Sequence, residues 1–151
     1  MFKAVTQFSI FLVNKPGILS RVCDELASNK INLVALTLMD SVEHGVFRFV
    51  ATDPAKARVV LKALNIPMTE SEVLSAEMPN RPGAMADLCA RLNGNHISIR
   101  YAYITSGASG GRTTGIFKVD NMQKALRLAS GKALARKERQ FARIAPGPRG
   151  M

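Results

Sequence analysis

The feature that most constrains this chain is an internal repeat. Asn14-Lys15-Pro16-Gly17 recurs as Asn80-Arg81-Pro82-Gly83, a shift of 66 residues. The same shift carries Leu19 to Met85, Val22 to Leu88, Cys23 to Cys89, Leu26 to Leu92, Asn29 to Asn95 and Ile31 to Ile97. After a two-residue insertion the shift becomes 68 and maps Phe49 to Phe117, Lys56 to Lys124, Ala57 to Ala125 and Val60 to Leu128. A chain of 151 residues holds one ordinary domain or two very small ones, and the repeat selects two copies of one small unit.

Each copy reads by its period. In Thr6 to Val13, Phe8, Ile10 and Leu12 alternate with Gln7 and Ser9, the pattern of a half-buried strand. Leu74, Ala76 and Met78 alternate with Val73, Ser75 and Glu77 in the second copy. Each strand stops at an Asn-x-Pro-Gly turn, where proline fixes φ and glycine admits conformations closed to other residues. Ile18, Leu19, Val22, Cys23 and Leu26 then form a helical stripe, repeated by Ala84, Met85, Leu88, Cys89 and Leu92. Asn29 and Asn95 are expected to close these helices in the left-handed conformation. Strands are expected at Ile31 to Met39 and Ile97 to Thr105. After breaks at Asp40 to Gly45 and Ser106 to Arg112, further strands follow at Val46 to Ala51 and Thr113 to Val119. Asp53 and Asp120 are expected to begin the second helices, which turn Ala57, Val60, Leu61 and Leu64, or Ala125 and Leu128, inward.

Each copy thus reads strand, helix, strand, strand, helix. One more strand would complete a split βαβ unit, the ferredoxin-like arrangement of the α+β class. Only Asn65 to Pro79 is available to supply the last strand of the first copy, the first strand of the second, or one long strand serving both. After the second copy only a basic tail follows. The halves are therefore expected to share or exchange edge strands, which also protects those edges from aggregation. The expected division is 1–69, 70–131 and a tail at 132–151. In the strand around Val34, Leu36 and Leu38, the opposite face of Leu33, Ala35 and Thr37 is also largely apolar. Helices on one face cover half of such a strand, so the other face calls for the second half or another subunit.

The chemistry lies in the two turns. A helix N-terminus offers unpaired N–H groups and a partial positive charge, and glycine leaves those amides unscreened. The amides of Gly17 to Leu19 and of Gly83 to Met85 are thus candidates for a small anion, with Asn14 and Asn80 beside them. The same residues also admit a plain turn in which asparagine does the capping.

Strand, Asn-Lys-Pro-Gly-Ile-Leu, amphipathic helix, Asn-Lys-Ile-Asn-Leu, strand resembles the ACT domain, and Met-Pro-Asn-Arg-Pro-Gly-Ala-Met through His-Ile-Ser-Ile resembles a second one. The resemblance covers about residues 3 to 130. It implies two ferredoxin-like βαββαβ (ACT-like) repeats of the stand-alone tandem form. It also implies a non-catalytic regulatory module that pairs with another, here as a homodimer, and takes a small amino acid or related carboxylate where modules meet. Carried onto this chain, the ligand positions are Asn14, Gly17, Ile18, Leu19, Asn80, Gly83, Ala84 and Met85. The sequence departs from the family in showing no evident last strand in the second copy, and the stand-alone form, without an attached enzyme or DNA-binding domain, is expected.

Composition narrows the alternatives. The net charge of +10 divides evenly: residues 1–131 hold fifteen Lys+Arg against ten Asp+Glu, and residues 132–151 hold six against Glu138 alone. The tail can be helical from Lys132 to Ile144 and is expected to fray at Pro146-Gly147-Pro148. It motivates the alternative function, a scaffold that engages an acidic protein or nucleic acid through the tail and takes no small ligand. Two cysteines, Cys23 and Cys89, suit a reducing compartment and buried packing. No apolar run near the start spans a membrane and no signal-peptide pattern follows Lys3, so a cytoplasmic protein is expected. Ser106 to Arg112 lacks the Lys-Ser/Thr ending of a P-loop and reads as a hairpin loop. His44 and His96 have no ligand-spaced partners, so no metal and no cofactor are expected. No nucleophile–base pattern appears. Acylphosphatases and RNA-binding modules share the fold class, but neither an anion loop with its arginine nor exposed stacking aromatics is present. The nearest approach to the latter is Tyr101 and Tyr103, on one strand face.

Overall fold

The structure is a computed structural model describing residues 2–13, 17–40, 44–108 and 111–128. Asn14 and the basic tail, with the expectations attached to them, lie outside the described residues. The elements are β1 (Phe2–Val13), α1 (Ile18–Ser28), β2 (Leu33–Met39), β3 (His44–Ala51), α2 (Pro54–Ala63), β4 (Met68–Pro79), α3 (Ala84–Asn93), β5 (Ile99–Ala108), β6 (Arg112–Val119) and α4 (Met122–Leu128). They form one antiparallel sheet in the order β2-β3-β1-β4-β6-β5.

The choice left open for Asn65 to Pro79 resolves into one long strand. β4 pairs with β1 from Met68 to Ala76 and with β6 from Leu74 to Pro79, so it ends the first repeat and begins the second. β1 reciprocates. It pairs with β3 from Gln7 to Val13, and its head, Phe2 to Ile10, lies beside β4 where a last strand of the second repeat would go. The repeats share both central strands. β1 consequently begins at Phe2, four residues before the expected Thr6.

Register assigns the faces. Phe8, Ile10 and Leu12 pack with Val22 and Leu26 of α1 and Ala57, Val60 and Leu61 of α2. Phe2, Leu74, Ala76, Met78 and Phe117 pack with Ala84, Leu88 and Leu92 of α3 and Ala125 and Leu128 of α4. All four helices therefore cover one face. The sheet curls around the other until edge strands β2 and β5 come into contact. Ala35, Val50, Val73 and Ile116 are buried inside that curl, with Val5 and Tyr103 against them. The second half thus supplies the cover that Ala35 needs.

Several expectations change for local reasons. Gln7 and Ser9, expected on an open face, are buried inside the curl. A bulge between Leu33 and Ala35 turns Leu33 to the helix side with Leu36 and Leu38 instead of opposite them. Asn29 (φ −92°) is not left-handed; Lys30 (φ 57°) and His96 (φ 57°) are. The asparagines cap differently, their side-chain amides donating to the Glu25 and Arg91 carbonyls at 2.8 and 2.7 Å. Asp53 caps α2 through the Lys56 amide at 3.0 Å, but in the second repeat Asn121 does this, accepting from Lys124 at 3.0 Å. Asp120 instead accepts from the Ser98 amide at 3.0 Å, tying β5 to β6.

One glycine has no room for a side chain. A Cβ at Gly115 would lie 2.5 Å from Cε2 of the fully buried Phe117 and 2.8 Å from Cε of Met78. Gly115→Ala should cost about 1–3 kcal/mol through forced displacement of that ring. Urea denaturation measures it, and a variant within 0.5 kcal/mol of the parent would mean the second core yields freely, against about 0.74 packing density in protein interiors.

Candidate functional site

The two turns do share a local geometry. Gly17 has φ 92° and ψ −7°, and Gly83 has φ 88° and ψ −15°, both left-handed, which explains glycine at each. Neither α1 nor α3 has a side-chain N-cap bond, so the asparagine-capping reading does not hold for the second turn. There Asn80 is exposed and its main-chain amide donates to the Gly111 carbonyl at 2.6 Å. A Cβ at Gly17 would meet nothing within 4 Å, and one at Gly83 only the Arg81 guanidinium at 3.5 Å. Both helix entrances are open to the outside.

They are not brought together. β1 and β4 run antiparallel, so the turn after Val13 and the turn after Pro79 lie at opposite ends of the sheet. At the first, Ile18 and Leu19 pack against the first repeat's core. At the second, Ala84 is buried in the second core with Met85 packed against it. The Ala84 amide already donates to the Arg81 carbonyl at 3.3 Å.

Beside the second turn lies a cleft of about 410 Å³. Phe2, Met78 and Ala84 line its apolar part, and Glu77, Arg81, Asp87 and Arg91 its polar part. Phe2 is the head of β1, so this cleft is a seam between repeats. Arg81 Nη2 donates to Asp87 Oδ2 at 3.0 Å, holding both charges over the start of α3. The Arg91 guanidinium carbon lies 4.8 Å from the Phe2 ring centroid. Its Nη2 donates to the Leu128 carbonyl at 3.3 Å, while its Nε is buried with no partner among the described residues. Phe2 and Arg91 escaped sequence reasoning because their meeting depends on the shared strands. The shift of 66 puts Ile18 where Ala84 stands, Arg21 where Asp87 stands and Glu25 where Arg91 stands. The bulkier isoleucine takes up volume, and both charges invert.

A second polar constellation links the repeats inside the curl. Gln7 Nε2 donates to Tyr101 Oη at 2.7 Å, and Tyr103 Oη donates to Gln7 Oε1 at 2.9 Å. The Arg48 guanidinium carbon lies 4.3 Å from the Tyr101 ring centroid. Burial, then the neighbouring Tyr101, pushes the Tyr103 phenol well above the ordinary tyrosine range, with Arg48 opposing. The two cysteines are free and half-buried, and burial followed by Asp24 raises the Cys23 thiol, which disfavours the reactive thiolate. Among the described residues no three His, Cys, Asp or Glu side chains gather as metal ligands would, and no helix is long and apolar enough to cross a membrane.

Comparison with known proteins agrees with this architecture. The solved structure of protein BT0572 from Bacteroides thetaiotaomicron is similar over 87% of this chain and 90% of that one, at 30% identity and TM-score 0.79. The ligand-free regulatory subunit of aspartate kinase from Thermus thermophilus is similar in fold over 83% of this chain and 92% of its own, at 15% identity and TM-score 0.60. Aspartokinase alpha and beta subunits match over 78% and 85%, at 15% identity and TM-score 0.55. Among curated protein sequences none matches significantly. Residues 3–140 match the family described as the ACT domain pair, a regulatory fold, and the chain belongs to that family.

Proposed function

We propose that this chain is a non-catalytic regulatory protein that binds a small amino acid, or a related carboxylate, in the cleft beside the second turn. The observation that carries the reading is the substitution of Ala84 for the Ile18 of the first repeat, in a seam bordered by Arg81, Arg91, Asp87 and Glu77, the last of these paired with Arg112. The small side chain leaves volume. The arginines suit a carboxylate, Asp87 suits an ammonium group, and the Gly83 and Met85 amides add donors at a positive helix end. Phe2 and Met78 offer apolar surface for a side chain. Of the positions expected from the family resemblance, Ala84 lines this cleft and Asn80, Gly83 and Met85 are its neighbours in sequence, whereas Gly17, Ile18 and Leu19 belong to the first turn.

Because the cleft joins Phe2 of β1 to α3, occupancy favours one arrangement of the repeats by the ligand's differential affinity for it. A protein partner then reads that arrangement. Pairing of two chains is supported by the outer edge strand β2, where Leu36 and Leu38 are 50% and 53% exposed. The absence of a transmembrane helix among the described residues accords with a cytoplasmic setting.

A thermal-shift panel of the twenty amino acids tests the reading. A ligand at a hundred times its Kd adds about 2.7 kcal/mol, raising Tm by roughly 5–10 °C in a chain of this size. Ala84→Ile, which restores the residue of the first repeat, should remove the shift, as should Gly83→Val. Silence across the panel at millimolar concentration defeats the reading. An undiminished shift in Ala84→Ile moves the site elsewhere.

A further inference from the structure

The charges around the cleft beside the second turn are not equally available to a ligand. Ala84, Asp87, Leu88 and Arg91 follow one another at i, i+3, i+4 and i+7, so one face of α3 forms a wall of the cleft. Ala84 and Leu88 belong to the second core, with Phe2 and Met78. These four give the cleft an apolar floor, and Asp87 and Arg91 stand beside it.

Both carboxylates are already taken. Asp87 precedes Arg91 by four residues, the spacing at which the two could pair on a helix, yet it accepts from Arg81 Nη2 at 3.0 Å instead. Glu77 pairs with Arg112 at 3.4 Å. Arg91 is left as the lining cation with no carboxylate partner among the described residues. Its guanidinium carbon lies 4.8 Å from the Phe2 ring centroid, and Nη2 donates to the Leu128 carbonyl at 3.3 Å. Its Nε meets no acceptor among the described residues. Arginine carries several N–H donors in a planar fork, so most of those on Arg91 remain unmatched beside an apolar floor. An arriving carboxylate gains a charge-assisted pair there and displaces no other carboxylate.

An ammonium group finds no equivalent place. To reach Asp87 or Glu77 it has to displace an arginine, and exchanging one exposed pair for another yields next to nothing. Its own hydration is lost in the same step.

We propose that the preferred ligand of this cleft is a short aliphatic monocarboxylate without an ammonium group. Its carboxylate engages Arg91, and its alkyl chain lies on Phe2, Met78 and Leu88. The proposal rests on the reading of this cleft as the ligand site and narrows what the site takes.

Isothermal titration of the full chain with 4-methylpentanoate, 4-methyl-2-oxopentanoate and leucine tests it, since these share one alkyl chain and differ at the α-carbon. The first two should bind roughly tenfold tighter than leucine. 4-Methylpentanamide, uncharged at its head, should bind roughly tenfold more weakly than 4-methylpentanoate. Arg91→Gln should weaken both acids to a similar extent, and Arg91→Lys, which keeps the charge without the fork, to a smaller one. The amide comparison needs no variant and decides even where Arg91→Gln fails to fold. Ala84→Ile should abolish binding of all three acids, which places them in the cleft. Leucine binding as tightly as 4-methylpentanoate, and lost in Ala84→Ile, would overturn the proposal and leave the amino-acid reading standing. Acid binding indifferent to both the amide exchange and Arg91→Gln would overturn it as well. Absence of binding by all three defeats the proposal and, with a silent amino-acid panel, the reading of the cleft itself.

Discussion

Phe49→Ala will destabilise the chain by about 3–5 kcal/mol, yet the variant will still unfold in a single step. Phe49 is fully buried, with its ring centroid 5.4 Å from that of Phe8 and 5.1 Å from that of Phe47. Truncation leaves a void bounded by two aromatic neighbours held by strand pairing, so the site collapses poorly and the cavity cost is large. If the repeats were independent, this loss would melt the first and leave the second standing. They are not independent. β1 carries Phe8, Ile10 and Leu12 into the first core and Phe2 into the second, and nine facing pairs join it to β4. Loss of the first core therefore strips the second of Phe2 and of its neighbouring strand. The probes are convenient, because both tyrosines, Tyr101 and Tyr103, lie in the second repeat and the chain has no tryptophan. Tyrosine fluorescence then reports the second repeat, and far-UV circular dichroism reports the whole. Coincident urea curves are expected. Tyrosine signal that outlasts the loss of helix would show the repeats folding separately.

Most of the fold was legible because repetition and period report on neighbours close in sequence. The strand–turn–helix order, the left-handed glycines and the α2 cap at Asp53 all depend on a few adjacent residues. The misplaced cap of α4 was also within reach. The shift of 68 sends Asp53 to Asn121 and Thr52 to Asp120, and Asp120 does the work of Thr52, bridging to the preceding strand. The bulge at Val34 was not legible, since a strand apolar on both faces gives no register signal. Burial of Gln7 was hidden for a different reason. Its environment is made by Tyr101 and Tyr103, 94 and 96 residues away, and only curling of the sheet joins them. The candidate cleft was half legible. Gly83 and Ala84 are local to the turn motif, while Phe2 and Arg91 enter through strand sharing.

Gln7→Leu should be the most damaging polar-to-apolar change of similar size, at about 2–4 kcal/mol, because it strands two phenol hydroxyls inside the curl at roughly 1–3 kcal/mol each. Tyr103→Phe alone should cost less, since Gln7 keeps its bond to Tyr101. The double variant should cost less than the sum of the two, because once Gln7 is gone the Tyr103 hydroxyl has nothing left to lose. Strict additivity, or a Gln7→Leu loss within 0.5 kcal/mol of zero, would show that the buried amide contributes nothing to closure. The pH dependence gives a separate reading. The folded Tyr103 phenol ionises at higher pH than an unfolded tyrosine, whose ordinary pKa is about 10. Below that value both states hold the proton and the contribution is fully present. As pH climbs further the unfolded chain releases the proton first, so stability falls toward the folded pKa. Tyr103→Phe should therefore flatten the alkaline arm of the stability curve relative to the parent, measured by urea midpoints on either side of the tyrosine range. An identical alkaline slope in both proteins would mean the phenol is solvated, and that the curled sheet opens readily enough to admit water to its centre.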